Sequence, residues 1–148
     1  MPTMTIMRGL PGSGKSTTAA KLTTHDTVVC SADDYFVDKD GVYRFDKRLI
    51  GKAHLSCQKK AQKACAGGQH VIIDNTNTQR WEMEPYLRMA REGGYQVVVV
   101  DLFDGRQSDE SLANRNTHRV PKETISAMRQ RYELNWRDAD PRKPWERN

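Results

Sequence analysis

Apolar residues along this chain recur in two rhythms. Four short runs rich in β-branched residues, Thr3-Met-Thr-Ile-Met-Arg8, Thr27-Val-Val-Cys-Ser31, Val71-Ile-Ile-Asp74 and Gln96-Val-Val-Val-Val-Asp-Leu102, are bounded by polar or glycine-bearing stretches. Such runs predict buried strands. Between and after them the spacing predicts helices over about 15–24, 46–66, 79–92, 108–118 and 122–134. Punctuation agrees: Asp46 is placed as an N-cap, Gly67-Gly68 and Gly93-Gly94 stop two helices, and Pro121 separates the last pair. A polar turn is expected at Ala32–Phe36, a loop around Gly41, and an irregular tail rich in Pro and Arg from Asp138. Continuous apolar strands alternating with helices define the α/β class, with a parallel sheet of about four strands covered on both faces. No repeat or linker divides the sequence, so one domain over 1–148 is expected.

In such sheets ligands bind beyond the carboxyl ends of the strands. Three polar clusters fall there. After the first strand comes Gly9-Leu10-Pro11-Gly12-Ser13-Gly14-Lys15-Ser16, followed by Thr17. It satisfies the phosphate-binding pattern G-x-x-x-x-G-K-[ST] in its required strand–loop–helix setting. Glycines let the backbone amides wrap a phosphate, and the helix N-terminus adds positive charge. Lys15 is expected to reach the β- and γ-phosphates of ATP, and Ser16 to hold Mg²⁺. The second strand ends at Asp33-Asp34-Tyr35 and the third at Asp74-Asn75-Thr76-Asn77. A carboxylate at the end of an apolar strand suits Mg²⁺, so Asp74 is the second metal candidate. Asp33 is the candidate general base for an attacking hydroxyl. Asp34, Tyr35, Asn75, Thr76 and Asn77 are candidates for substrate contact, with loop shaping as the alternative for each.

Arg115, His118 and Arg119 are spaced i, i+3, i+4, which predicts one shared helix face. Arg115 and Arg119 are candidates for neutralising a transferring phosphoryl group from a helical lid over about 108–134, and His118 for touching substrate. Tyr35, Phe36, Tyr43 and Phe45 gather in the loop before the long helix, either to stack a base or to pack the loop.

Charge adds one point. The chain carries a net charge of +5, and the segment from Asp46 to Ala66 holds six basic residues against one acid. Arg48, Lys52, Lys59 and Lys63 fall on one side of the predicted helix, opposite Leu49, Ile50, Ala53, Cys57, Ala61 and Ala64. This is a solvated face or a track for a nucleic-acid backbone. His54 is assigned to the buried side. No run approaches eighteen apolar residues, and Met1-Pro-Thr-Met has no signal-peptide character. Three cysteines without metal or disulfide spacing fit reduced thiols, so a cytoplasmic location is expected.

Together Gly9–Ser16, Ser31-Ala-Asp-Asp-Tyr35, Ile73-Asp-Asn-Thr-Asn77 and Arg115-Asn-Thr-His-Arg-Val-Pro121 resemble the P-loop kinase domain of the polynucleotide 5′-hydroxyl kinase family, in a small stand-alone variant. The resemblance covers roughly residues 4–134 and implies a P-loop NTPase, nucleotide-kinase-like fold with a helical lid. It also implies ATP and Mg²⁺ as cofactors, Asp33 as general base, and a DNA or RNA 5′-OH as acceptor. No protein partner is implied. Family members often carry arginines where this chain has Ala32 and Phe36, which leaves a modified base, nucleoside or small alcohol open as acceptor. No apolar strand ends in D-x-D-x-[TV], so kinase chemistry without a phosphatase is expected. A nucleotide-switched binding module is the alternative outside enzyme chemistry.

Overall fold

The computed structural model describes residues 1–147. Its elements run β1 (Thr3–Arg8), α1 (Lys15–Leu22), β2 (Thr27–Cys30), α2 (Ile50–Ala66), β3 (His70–Asp74), α3 (Arg80–Gly93), β4 (Gln96–Asp101), α4 (Asp109–Arg115) and α5 (Lys122–Arg131). The four strands form one parallel sheet in the order β2-β3-β1-β4. Chain connections diverge between neighbouring β1 and β3: β1 leads by way of α1 to one edge, and β3 by way of α3 to the other. That divergence opens a crevice at the strand ends. Met7 pairs with Asp74 across it, which sets the Asp74 carboxylate beside the chain that turns into the phosphate loop.

Alternation along the strands explains the layers. Met4, Ile6, Val71 and Ile73 face α2 and α3, whose Ala53, Cys57, Ala61, Ala64, Met83, Tyr86 and Ala90 complete the main core. Small residues along α2 let it lie close to the sheet. Met7, Ile72 and Ala19 form a thinner core with α1 on the opposite face. The expectation of a sheet covered on both faces therefore holds unevenly: Val98 of β4 is 41% exposed, and no residue of β4 is fully buried. A third cluster joins Leu10 of the phosphate loop to Leu112, Ile125 and Tyr132 of the helical pair, with Phe103 against it.

Several boundaries differ from the sequence reading. Ala32–Phe36 is a 3-10 helix capped by Ser31, whose hydroxyl accepts from the Asp33 amide. Asp46 caps a separate 3-10 turn, Lys47–Leu49, and α2 begins only at Ile50. The 108–118 helix ends at Arg115, because Asn116 leaves helical backbone geometry and its side chain bonds the surrounding turn. The 122–134 helix ends at Arg131. The described tail is mostly irregular, as expected, but it docks: its 3-10 turns Trp136–Asp138 and Pro144–Glu146 lie against α3, with Trp145 edge-on to Trp81 and Arg80 donating to the Arg137 carbonyl at 2.7 Å.

Arg8, at the end of β1, is completely buried. Its Nη1 pairs with Asp101 Oδ2 at 2.8 Å. Nε donates to the Asn77 carbonyl at 2.8 Å, while Nη2 donates to the carbonyls of Thr78 and Glu133 at 3.0 and 2.9 Å. The guanidinium lies over the Tyr132 ring, and the Tyr132 hydroxyl donates to Asp101 at 2.5 Å. Removing one member of such a buried set costs about 3–5 kcal/mol, since the partners stay desolvated and unpaired. Arg8→Met is expected to lower denaturant stability by about that amount. Arg8→Lys, a single point donor that cannot make the fork of contacts, is expected to restore less than half of it. Chemical unfolding of the three proteins checks both.

Candidate active site

The strand ends, the 3-10 helix and the helical pair enclose an open-mouthed cavity of about 590 Å³. The phosphate loop forms its floor. Gly14 caps α1 at φ 102°, a left-handed value that favours glycine, and the loop turns so that Gly12, Gly14, Lys15, Ser16 and Thr17 line or border the cavity. Gly9, Leu10 and Ser13 donate their amides within the protein, to Thr76, Phe103 and Leu10 carbonyls respectively. Those three residues therefore build the loop rather than face the cavity, and Leu10 is fully buried against the lid helices. Amides at the first turn of α1 are left for an anion.

Lys15 rests its Nζ 3.3 Å from the Leu10 carbonyl. Burial lowers its pKa from the ordinary lysine value, opposed by the charges of Asp74 and Asp33. Ser16 donates to Asp74 Oδ2 at 2.9 Å. Burial raises the Asp74 pKa, opposed by that hydrogen bond and by Lys15. A hydroxyl and a carboxylate in contact, beside a phosphate cradle, suit Mg²⁺, which takes one or two protein ligands and completes its octahedron with phosphate oxygens and water. Among the described residues, no group of three or more His, Cys, Asp or Glu forms a cage that would hold a metal by itself.

Asp33 stands across the cavity from this floor, near enough to influence Lys15 and Asp74. Tyr43 donates to Asp33 Oδ1 at 3.4 Å, and His118 Nε2 lies 3.5 Å from Oδ2. Burial and then the Asp33 charge push the Tyr43 phenol up to about 12, so it stays neutral and a donor at physiological pH. Phe36, Phe45, Ile50, Ala53 and His54 wall this end.

Not every sequence candidate arrives at the cavity. Asp34 and Tyr35 fall outside its lining; the Asp34 carboxylate sits 4.0 Å from Lys60 on the outer side of the 3-10 helix. Asn77 is buried, with φ 47°, and donates to the Met7 carbonyl at 2.8 Å; it shapes the loop. Asn75 lines the cavity but its Oδ1 accepts from the Ala32 amide at 2.9 Å, tying the end of β3 to the Asp33 helix. Thr76 also lines the cavity while its carbonyl holds the Gly9 amide. Arg115, His118 and Arg119 do not share a helix face, since α4 stops at Arg115 and Arg119 has φ 58°, yet the turn brings all three to the cavity. On α5, Arg129 bonds Asp104 and Asp109 at 2.6 and 2.7 Å and clamps that helix to the start of α4.

His54 and Glu82 line the cavity without having been singled out as site residues, and Tyr43, a candidate for base stacking, lines it too. Arg8 was missed as well, although its signal was available: an Arg and an Asp end the apolar runs of β1 and β4, and the register pairs them.

Sheet order, phosphate loop and lid define a P-loop kinase-like domain. The family profile described as AAA domain matches residues 4–135, and the chain belongs to that family. It is 39% identical to human NEDD4-binding protein 2 over 134 residues, which is 88% of this chain but 8% of that protein. Mouse 2′,3′-cyclic-nucleotide 3′-phosphodiesterase is 35% identical over 109 residues, 67% of this chain and 23% of the relative. The chain thus spans less than a quarter of the length of these curated relatives. A chain in the structure of the Pnkp1/Rnl/Hen1 RNA repair complex superposes with a TM-score of 0.70 at 20% identity, covering 97% of this chain and 50% of the other. No helix among the described residues is long and apolar enough to cross a membrane.

A buried lysine whose pKa is depressed on folding destabilises the fold at every pH below that value, and the penalty disappears above the ordinary lysine range. Lys15→Met is therefore expected to leave the ligand-free unfolding midpoint unchanged or higher at pH 7. In the same variant ATP is expected to lose its stabilising effect, which differential scanning with and without nucleotide checks.

Proposed function

We propose that this chain is an ATP- and Mg²⁺-dependent phosphotransferase whose acceptor is a hydroxyl, foremost the 5′-OH of a DNA or RNA strand. The observation that carries this reading is the facing arrangement of Asp33 and the Lys15–Ser16–Asp74 floor across one cavity.

Each residue has a role in the transfer. The loop amides and Lys15 hold the β- and γ-phosphates of ATP. Ser16 and Asp74 would hold Mg²⁺, which would supply charge neutralisation for the phosphates. Asp33 takes the proton from the acceptor hydroxyl as its oxygen bonds to the γ-phosphorus. The bond from that phosphorus to the β–γ bridging oxygen breaks, and ADP carries away the electron pair. Arg115 and Arg119 balance the negative charge on the moving group. Positioning and electrostatic stabilisation supply the rate enhancement.

Three exposed lysines support a polymeric acceptor. Lys52, Lys59 and Lys63 lie along α2, which starts at the acceptor end of the cavity, and none has an acidic partner among the described residues. Arg48 drops out of this stripe because Asp46 neutralises it with a two-pronged contact. Phe45, 55% exposed at the cavity rim, offers a ring face to a terminal base. A second reading, a nucleoside or small alcohol as acceptor, draws on Ala32 and Phe36. Both are buried, so the cavity wall offers no cation there for a phosphate of the acceptor strand.

Incubation with γ-labelled ATP and 5′-OH oligonucleotides tests the proposal, with nucleosides and small alcohols in parallel. Label is expected at the oligonucleotide 5′ end; absence of transfer to any acceptor, with ATP binding intact, would refute it. Asp33→Asn is expected to lower turnover by about 10²–10⁴-fold while ATP affinity stays within a few-fold, as measured by calorimetry. Changing Lys52, Lys59 and Lys63 to Glu is expected to raise the oligonucleotide KM and flatten its salt dependence, with the nucleotide KM unaffected.

A further inference from the structure

The strongest unassigned feature is the contact between the lid and Asp33. The chain from Asn116 to Val120 forms a tight turn beyond α4. Asn116 secures it alone: its Oδ1 accepts from the Val120 amide at 2.8 Å, and its Nδ2 donates to the carbonyls of Leu112, Ala113 and Val120 at 3.2, 2.9 and 3.2 Å. Arg119 adopts left-handed backbone to close the turn. At its crest His118 makes two contacts with the core of the domain. Its ring packs on Tyr43, with centroids 4.0 Å apart and planes tilted by 32°, and its Nε2 approaches Asp33 Oδ2. Tyr43 holds the other carboxylate oxygen. The Asp33 carboxylate is therefore approached at both oxygens, by Tyr43 of the domain at 3.4 Å and by His118 of the lid at 3.5 Å.

We propose that His118 is a positioning residue for the general base, with Tyr43 as its platform. Lid seating and orientation of Asp33 then become a single event. This rests on the phosphotransferase reading. In the transfer step His118 gains and loses no proton; Asp33 takes the hydroxyl proton, and His118 fixes the carboxylate so that one oxygen faces the acceptor. A lid histidine that touched only the donor phosphates would have no need of the Tyr43 contact or of proximity to Asp33. The other ionisable groups lining the cavity are Lys15 and Asp74 on the floor, His54 on α2, Glu82 on α3, Arg131 on α5, and Arg115 and Arg119 on the lid itself.

Two measurements separate this proposal from the activity it depends on. In the full chain without substrates, Asp33→Asn is expected to move the imidazole nitrogen NMR signals of His118 while those of exposed His25 stay in place. Unmoved His118 signals would show that the pair does not form and would overturn the proposal whether or not the protein transfers phosphate. The second is a kinetic cycle. His118→Phe keeps a ring for Tyr43 but removes the nitrogen, and is expected to lower kcat about 10- to 100-fold with the ATP KM unchanged. His118→Gln, which retains an amide donor at comparable reach, is expected to recover part of that loss. In the Asp33→Asn background, His118→Phe is expected to cost nothing further. A loss that persists in that background, or a raised ATP KM, would place His118 on the donor instead. Wild-type protein that transfers no label would remove the kinase reading, and the NMR comparison would still decide the pairing.

Discussion

Arg8 is the constraint on which the rest of the molecule turns. A fully desolvated guanidinium is tolerable only when its donors are answered, and here the answers come from three places in the chain. Asp101 supplies the countercharge from β4. The loop after β3 supplies two carbonyls, and the segment after α5 supplies a third together with the Tyr132 ring. The residue that ends β1 and immediately precedes the phosphate loop thus fixes the neighbouring strand, the start of α3 and the end of the lid. β1 is central in the sheet, so this polar knot sits at the strand end from which the phosphate loop departs.

From that anchor the cavity follows in two halves. The phosphate-loop half is braced from within: three loop amides are committed to internal carbonyls, and Leu10 is sealed under the helical pair. The Asp33 half is assembled from pieces distant in sequence. Asn75 ties the end of β3 to the Asp33 helix, and that helix receives Tyr43 from one side and His118 from the other. Charge is arranged to match. Lys15 is buried at a cost that two carboxylates offset in part, so the floor awaits an anion.

The sheet and the phosphate loop were legible in the sequence because each rests on local pattern: apolar runs give strands, and the glycine–lysine–serine spacing gives the cradle. Asp33 and Asp74 were legible because strand ends converge in this fold class. What the pattern could not carry was direction. Asp33 and Asp34 are adjacent, and only the 3-10 geometry set by Ser31 decides that the first faces the cavity and the second faces Lys60. The i, i+4 spacing of Arg115 and Arg119 suggested a helix face, but Asn116 competes for the backbone and ends the helix. Asn77 was a candidate for substrate contact, and the structure buries it with its side-chain amide donating to the Met7 carbonyl of β1. Tyr43 stood in an aromatic cluster whose purpose was open, and its contact with Asp33 depends on a loop closure that no local signal records.

Gly12 carries a consequence of another kind. The phosphate-loop pattern leaves this position free, yet a Cβ there would stand 2.6 Å from the Leu112 carbonyl of α4 and 3.2 Å from its Cα. The residue is small because the lid's backbone occupies the space. Loop and lid are consequently not modules that can be exchanged separately: this lid seats only on a loop that is bare at that point. A side chain at position 12 would have to displace α4 and also adopt a left-handed φ of 84°.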